Sequence, residues 1–394
     1  MFGSKRIYLD WAAAAPTSAR AKRVFDVALD AFGNPSSPHT EGRAAKAILE
    51  DARARIAKLA GTKAEAVIFT ANATEANALA IRGHIKALVK AGREAKDMHV
   101  LYMPSAHSSI GGALAILGKR GVSLSPITLK DGAADLAALK SSLTPNTVLV
   151  CMDLVCGETG ALYDVRDVRR VLDAYNKENG KHITLHVDAS QAPLVTSYEL
   201  NRLGADMLSL DAQKVGGVRG IGVLIAPRHV PLLPLIRGGG QERGMRPGTE
   251  PHALAAAFVV ALEDADKGRE KFVESALNSR KALLESIKKV EKVEVNEGKE
   301  QAPHILNLSF IGRDTDYLAA LLDEAGFAVS TKSACESDSE EGSRAVLALT
   351  NDEARAVSTL RVSWGPETRG ADLMRFSEAL INAVQFLDNK SVEI

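Results

Sequence analysis

Two residues near the middle of the chain are of the types that hold a carbonyl cofactor from opposite sides. Asp188 closes one apolar run, in His186-Val187-Asp188-Ala189-Ser190-Gln191, and Lys214 lies beyond the next, in Ser209-Leu210-Asp211-Ala212-Gln213-Lys214. An acid ending one strand and a lysine past the following one could grip pyridoxal phosphate (PLP). The acid would keep the ring nitrogen protonated, making the ring an electron sink, while the amine holds the aldehyde as a Schiff base. A third group strengthens the pair: Cys335, in Ser330-Thr331-Lys332-Ser333-Ala334-Cys335-Glu336-Ser337-Asp338, reads as a thiol in an exposed polar loop. Exposed cysteines outside cores are the ones whose reactivity matters. Cys151 and Cys156 flank an apolar strand end and read as inert.

Other segments carry weaker signals. Thr70-Ala71-Asn72-Ala73-Thr74-Glu75-Ala76-Asn77 joins a strand to a helix, and small residues with a hydroxyl at a helix start suit a phosphate. N-capping by Asn72 or Thr74 is the plainer reading, overtaken beside Asp188 and Lys214. His107 opens the next helix and could stack on a planar ring and carry protons near neutral pH, or simply cap. Gly238 to Glu250 packs five glycines beside Arg243, Arg246 and Thr249, which suits close backbone approach and anion binding. Arg361 interrupts an apolar strand, and a buried arginine needs either a bidentate substrate carboxylate or a structural salt bridge.

The elements that must position these groups alternate. Helical spacing over Glu41 to Leu59 precedes a strand at Ala66 to Thr70. Thr74 to Ala91 is helical again, followed by a strand at Met98 to Tyr102, and the alternation continues through Ile183 to Val187. Val- and Ile-rich runs without polar alternation suit strands covered on both faces, so a mainly parallel sheet flanked by helices follows. After Thr249 a long helix runs from Pro251 to about Lys289. Shorter units then suggest a smaller α+β domain, onto which the N-terminal segment could pack. The expected division is a large domain over 20–262 and a small domain made of 1–19 and 263–394.

Bulk properties narrow the class. At 394 residues the chain can bury a large core. Lys+Arg and Asp+Glu both number 49, which gives no electrostatic footprint for nucleic acid or an anionic membrane. Three cysteines cannot form a disulfide framework, and no Cys/His cluster suggests a metal. The start carries no apolar run of signal-peptide length, and no stretch reaches the roughly 18 apolar residues of a membrane span. A cytoplasmic protein is expected.

Together and in this order, the residues resemble the cysteine desulfurases of the class V aminotransferase superfamily, with PLP-dependent transferase fold type I. The likeness rests on Tyr8 to Pro16, Gly33-Asn34-Pro35-Ser36-Ser37-Pro38-His39-Thr40-Glu41-Gly42-Arg43, Ala73 to Asn77, Glu158-Thr159-Gly160, His186 to Asp188, Gly238 to Thr249 and Ser333-Ala334-Cys335. The resemblance implies a seven-stranded, mainly parallel sheet in the large domain and PLP as the cofactor. It implies that Lys214 carries the cofactor and moves protons at the substrate Cα, that Asp188 pairs with the ring nitrogen and that Gln191 bonds the ring oxygen. His107 would stack on the ring and take part in acid–base steps. Ala73, Thr74 and Gln213 would hold the phosphate, joined by Thr249 from the other subunit of a homodimer. Arg361 with Asn34 would clamp the carboxylate of L-cysteine. Cys335 would take the sulfur as a persulfide, leaving L-alanine, and pass it to an acceptor protein serving iron–sulfur cluster, thio-cofactor or thiolated-tRNA synthesis. The polar segment after Cys335 is similar to that of the subgroup in which this loop is long and mobile.

Three positions depart from the family pattern. Cys156-Gly157 stand where the family has Asn-Asn, so a polar contact to ring and substrate is missing. Asp211 stands in place of a small hydroxyl residue near the phosphate, which a carboxylate repels unless it turns away or meets a cation such as Arg219. Gln213 replaces a histidine, though an amide still donates to phosphate. A selenocysteine lyase or other class V lyase is the alternative enzyme. A PLP-fold scaffold for sulfur-transfer partners, with low activity, is the alternative from another class.

Overall fold

A computed structural model describes residues 6–331 and 342–390. Its centre is a seven-stranded sheet built from β1 (Val67–Thr70), β2 (His99–Tyr102), β3 (Ser123–Pro126), β4 (Thr147–Asp153), β5 (Thr184–Asp188), β6 (Met207–Asp211) and β7 (Gly222–Ile225), in the order β1-β7-β6-β5-β4-β2-β3. All neighbours are parallel except β7, which runs antiparallel to both β6 and β1. The apolar runs that predicted two covered faces behave accordingly. Val67, Phe69, Val150, Met152, Val223 and Ile225 enter one core cluster, while Ile68, Leu149, Cys151 and Leu224 enter another on the opposite face. Every residue of β1, β4, β5, β6 and β7 is buried.

A sheet sealed on both faces has no room for chemistry within it. Polar groups gather at the carboxyl ends of the parallel strands, where helices α1 (Ala73–Lys90) and α2 (Ser108–Gly118) begin. A third core cluster lies around a three-stranded antiparallel sheet of β8 (Val293–Val295), β9 (Ile305–Phe310) and β10 (Thr359–Ser363). Helix α3 (His252–Ile287) links the cores: Ala255 and Ala257 to Leu262 pack on the large sheet, and Ala265, Phe272, Ala276, Leu283 and Ile287 on the small one. At 1.5 Å per residue its 36 residues span about 54 Å. The N-terminal segment joins the smaller core, since Ile7 and Tyr8 pair in parallel with Phe327 and Ala328. Trp11 lies against Gly365, where a Cβ would approach its ring to 2.2 Å, so glycine is required there.

The glycine-rich stretch from Gly238 is pinned from beneath. Glu242 and Arg243 adopt left-handed backbone angles, with φ of 47° and 57°. The buried Glu242 carboxylate accepts from Arg53 Nη1 and Nη2 at 2.7 and 2.8 Å and from the Phe69 N–H at 2.8 Å. Arg53 in turn stacks over the Phe69 ring. Arg246, read from sequence as an anion ligand, pairs instead with Glu75 at 3.2 Å. Removing one partner of a buried bidentate pair strands the other charge. Glu242→Ala is therefore expected to cost about 3 kcal/mol in urea unfolding, and a loss under about 1 kcal/mol would refute this role.

Candidate active site

Three adjacent parallel strands each end in an aspartate: Asp153 on β4, Asp188 on β5 and Asp211 on β6. They line one cavity of about 210 Å³, together with Ala73, Thr74, His107, Gln191, Gln213, Lys214 and Arg361. Most of the residues singled out in the sequence thus meet at the carboxyl edge of the sheet.

Asp188 is the best anchored. Asn77 Nδ2 donates to its Oδ2 at 2.7 Å and the Ser190 N–H to its Oδ1 at 2.9 Å. Asn77 is fully buried, and its Oδ1 meets His186 Nε2 at 2.9 Å, which places the imidazole proton on Nε2. Burial lowers the His186 pKa to about 4, so this ring is neutral and serves as a donor. Asn77 Nδ2 also reaches Ser109 Oγ at 2.9 Å, which lies 2.8 Å from His107 Nδ1. The Ser109 N–H donates to the same Nδ1 at 3.2 Å, making it an acceptor and leaving the proton of the neutral ring on Nε2. One hydrogen-bonded chain therefore connects His107, Ser109, Asn77 and Asp188.

Lys214 follows a short turn after β6, and its Nζ donates to the carbonyls of Ala12 and Ala13 at 2.8 Å each. Gln191 Nε2 donates to the Ala12 carbonyl at 2.8 Å. The N-terminal segment, held by Tyr8 Oη on the carbonyls of Asp10 and Ala14, thus closes the cavity with backbone acceptors. Arg361 is 4% exposed; it donates to Asp10 Oδ1 at 2.8 Å and to the Gly157 carbonyl at 3.0 Å, while its Nε has no partner among the described residues. Of the two readings left open for this arginine, the ion pair is present. Gly157 accommodates Gln191, whose Nε2 would lie 3.0 Å from a Cβ at that position.

Some expected residues lie elsewhere. Asn34 is exposed, outside the cavity lining, with its Oδ1 accepting from the Ser36 N–H at 2.9 Å. Thr249 is likewise exposed and off the lining. Cys335 lies outside the described residues. Cys151 and Cys156 are buried, and burial pushes the Cys156 thiol up to about 12 and that of Cys151 upward too, which keeps both from acting as thiolates. Sequence reasoning missed Asp153, Asn77, Asp10 and Arg344, the last being a second arginine on the lining. Asp153 carried the same signal as Asp188, an acid closing an apolar run. Asn77 and Asp10 stood within quoted segments without an assigned role.

The donor set suits PLP. A buried anchored carboxylate, an amine, a histidine ring at the mouth and the first turn of an 18-residue helix face one space. No helix is long and apolar enough to cross a membrane among the described residues.

Comparison with known proteins agrees with this geometry. The family model of the class-V aminotransferases matches residues 7–376. A mitosomal cysteine desulfurase of Encephalitozoon cuniculi is 33% identical over 398 residues, covering 99% of this chain and 89% of that protein. The cysteine desulfurase IscS of Vibrio vulnificus is 32% identical, over 98% of this chain and 94% of its own. Among solved structures, a NifS-like protein superposes with a TM-score of 0.88 at 25% identity, covering 97% of this chain and all of that one. A structure described as SspA in complex with cysteine gives 0.78 at 28% identity, over 91% and 99% of the two chains.

Asp153 gives the site a pH signature. Burial, with Asp188 next to it in register, raises its carboxyl to about 7, and its Oδ1 has no hydrogen-bond partner among the described residues. The folded state then holds a proton that the unfolded chain releases near the ordinary 3.8. Stability falls as pH rises between those values and is level above them. Asp153→Asn should match the wild type in urea unfolding of the cofactor-free protein at pH 4. At pH 8 it should exceed it by about 1–4 kcal/mol. Parallel stability–pH curves would refute the assignment.

Proposed function

The chain belongs to the class V aminotransferase family, among its cysteine desulfurases, and from that membership we propose that it converts L-cysteine to L-alanine and leaves the sulfur as a persulfide on Cys335. The observation that carries this reading is the convergence of Lys214, Asp188, His107, Gln191, Thr74 and Arg361 on one cavity at the carboxyl edge of the sheet. PLP is the cofactor of this family, and when bound it supplies the electron sink for the carbon that loses sulfur.

The residues divide the work as follows. Lys214 holds the cofactor and moves a proton at the substrate Cα. Asp188, fixed by Asn77 and Ser190, would pair with the ring nitrogen, and Gln191 would donate to the ring oxygen. His107, with its proton on Nε2, exchanges protons at the mouth. Ala73, Thr74 and Gln213 face the phosphate, with Thr249 contributed by the partner of a homodimer. Arg361, whose Nε has no partner among the described residues, takes the substrate carboxylate. The Cys335 thiolate attacks the substrate sulfur: an S–S bond forms, the C–S bond breaks, and carbon takes the electron pair and then a proton. The sulfur balance closes without an external oxidant, because cysteine and alanine differ by the sulfur atom that Cys335 gains.

The same reading carries a sulfur-acceptor protein that meets the Cys335 segment and a homodimer, for which the exposed Val27, Leu29 and Phe32 beside Asn34 offer an apolar face. It divides the chain into a large unit, 20–262, and a small unit, 1–19 and 263–394, supported by the change of core along α3 between Leu262 and Ala265. A reducing compartment such as the cytoplasm suits the free thiols of Cys151 and Cys156.

Purified protein loaded with PLP should absorb in the visible, change spectrum with L-cysteine and release alanine. Lys214→Ala should lose the band. Cys335→Ser should keep the band and the spectral change but lose at least about a thousandfold in sulfide release with a thiol reductant, as for removal of a covalent nucleophile. Undiminished sulfide release from Cys335→Ser would refute the persulfide route, leaving a lyase in which that thiol is dispensable. Protein that takes up no PLP would refute the whole reading.

A further inference from the structure

Asp211 closes β6 and commits both carboxylate oxygens to backbone donors. Oδ2 accepts from the Ala73 N–H at 2.8 Å and Oδ1 from the Gln213 N–H at 3.1 Å. Ala73 is the first residue of α1, and Gln213 lies in the turn that delivers Lys214. The carboxylate therefore bridges the two elements that carry the proposed phosphate contacts, Thr74 and Gln213. Arg219, the cation that could have drawn it aside, is not its partner.

The close approach is built into the backbone. Gly222 on β7 is the register partner of Asp211, and a Cβ there would lie 2.6 Å from the Asn72 carbonyl carbon and 2.9 Å from Ala73 N. Only glycine lets the start of α1 lie against the strand ends. Asn72 caps the helix by accepting from the Glu75 N–H at 2.9 Å, so Ala73 and Glu75 in the first turn are both already engaged. Asp211 is 5% exposed, and burial raises its carboxyl above the usual range while the Ala73 and Gln213 N–H groups and Lys214 pull the other way, so its charge sits where solvent screens it poorly.

We propose that Asp211 is an internal anion that competes with the cofactor phosphate for the N-terminus of α1, so that this chain holds PLP chiefly through Lys214, Asp188 and the ring, and only weakly through the phosphate. The inference rests on the cofactor reading above and concerns which part of PLP is gripped. An entering phosphate has to displace the carboxylate from the Ala73 N–H or share that donor with it. Both routes set two like charges against each other in a buried space. The cofactor-free protein, in turn, keeps its helix N-terminus satisfied, because the carboxylate stands in for the phosphate.

The test is equilibrium titration of the wild type, Asp211→Asn and Asp211→Ser with PLP and with pyridoxal, which lacks the phosphate, followed by visible absorbance, with far-UV circular dichroism to check folding. Both substitutions should tighten PLP by at least about tenfold and shift pyridoxal by less than about twofold, each tenfold being about 1.4 kcal/mol. The wild type should prefer PLP over pyridoxal by less than about 100-fold. Unchanged or weaker PLP binding in the folded variants overturns the inference, as does an equal shift for both ligands. A wild-type preference above about 100-fold also overturns it and does not depend on either variant folding. Folded wild type that takes up neither aldehyde would instead overturn the cofactor reading itself.

Discussion

Everything in the site follows from one constraint: a charge buried at the edge of a sealed sheet must be hydrogen-bonded or neutralised. The two faces of the central sheet are occupied mostly by apolar side chains, and the carboxylates of the site stand where the strands stop. Asp188 meets the constraint with Asn77 and the Ser190 N–H, and Asn77 meets it with a histidine that burial keeps neutral. Asp211 meets it with two backbone N–H groups. Burial still raises its carboxyl, but that of Asp153, with an oxygen that has no partner among the described residues, is raised to about 7. Three identical side chains on three neighbouring strands thus answer the same electrostatic problem in three ways, which gives each a different chemical character.

The elements around this edge are placed by the same logic. Helix α1 can begin against the strands because Gly222 has no side chain there, and its capping by Asn72 holds the first turn in position. The N-terminal segment brings the carbonyls of Ala12 and Ala13 over Lys214, so an amine that would otherwise need water has two acceptors. That segment is anchored in the smaller core through Ile7 and Leu9. Closing the cavity therefore couples the two cores, and the hydrogen bond from Arg361 to the Gly157 carbonyl crosses the same seam. Long helix α3 adds a rigid connection, since its buried face passes from one core to the other without a break.

On the function proposed above, the ring and the phosphate of the cofactor would be held by different parts of the site. The ring side carries a hydrogen-bonded network that reaches from Asp188 to His107, with each member oriented by the next. On the proposed reading, the phosphate side is where Asp211 accepts from the Ala73 and Gln213 N–H groups.

The alternation of apolar runs and helical spacing was enough to read a mainly parallel sheet from the sequence, because burial on both faces leaves a compositional trace in every strand. Asp188 and Lys214 were legible for the same reason: one ends such a run and the other follows the end of the next, where chain direction alone puts them at the carboxyl edge. Asp153 ends a run equally well, and the signal was there to be used. Asn77, Asp10 and the carbonyls of Ala12 and Ala13 were beyond reach, since their roles depend on contacts between segments far apart in the chain. The direction taken by the Asp211 carboxylate was likewise a tertiary decision. Sequence could establish that a charge stands three residues before the lysine, but only the packing of α1 against Gly222 determined that it would turn to a helix N-terminus rather than to Arg219. Local order along the chain is written in residue pattern and type. The pairing of distant polar groups is decided by which donors the folded backbone brings within hydrogen-bond distance.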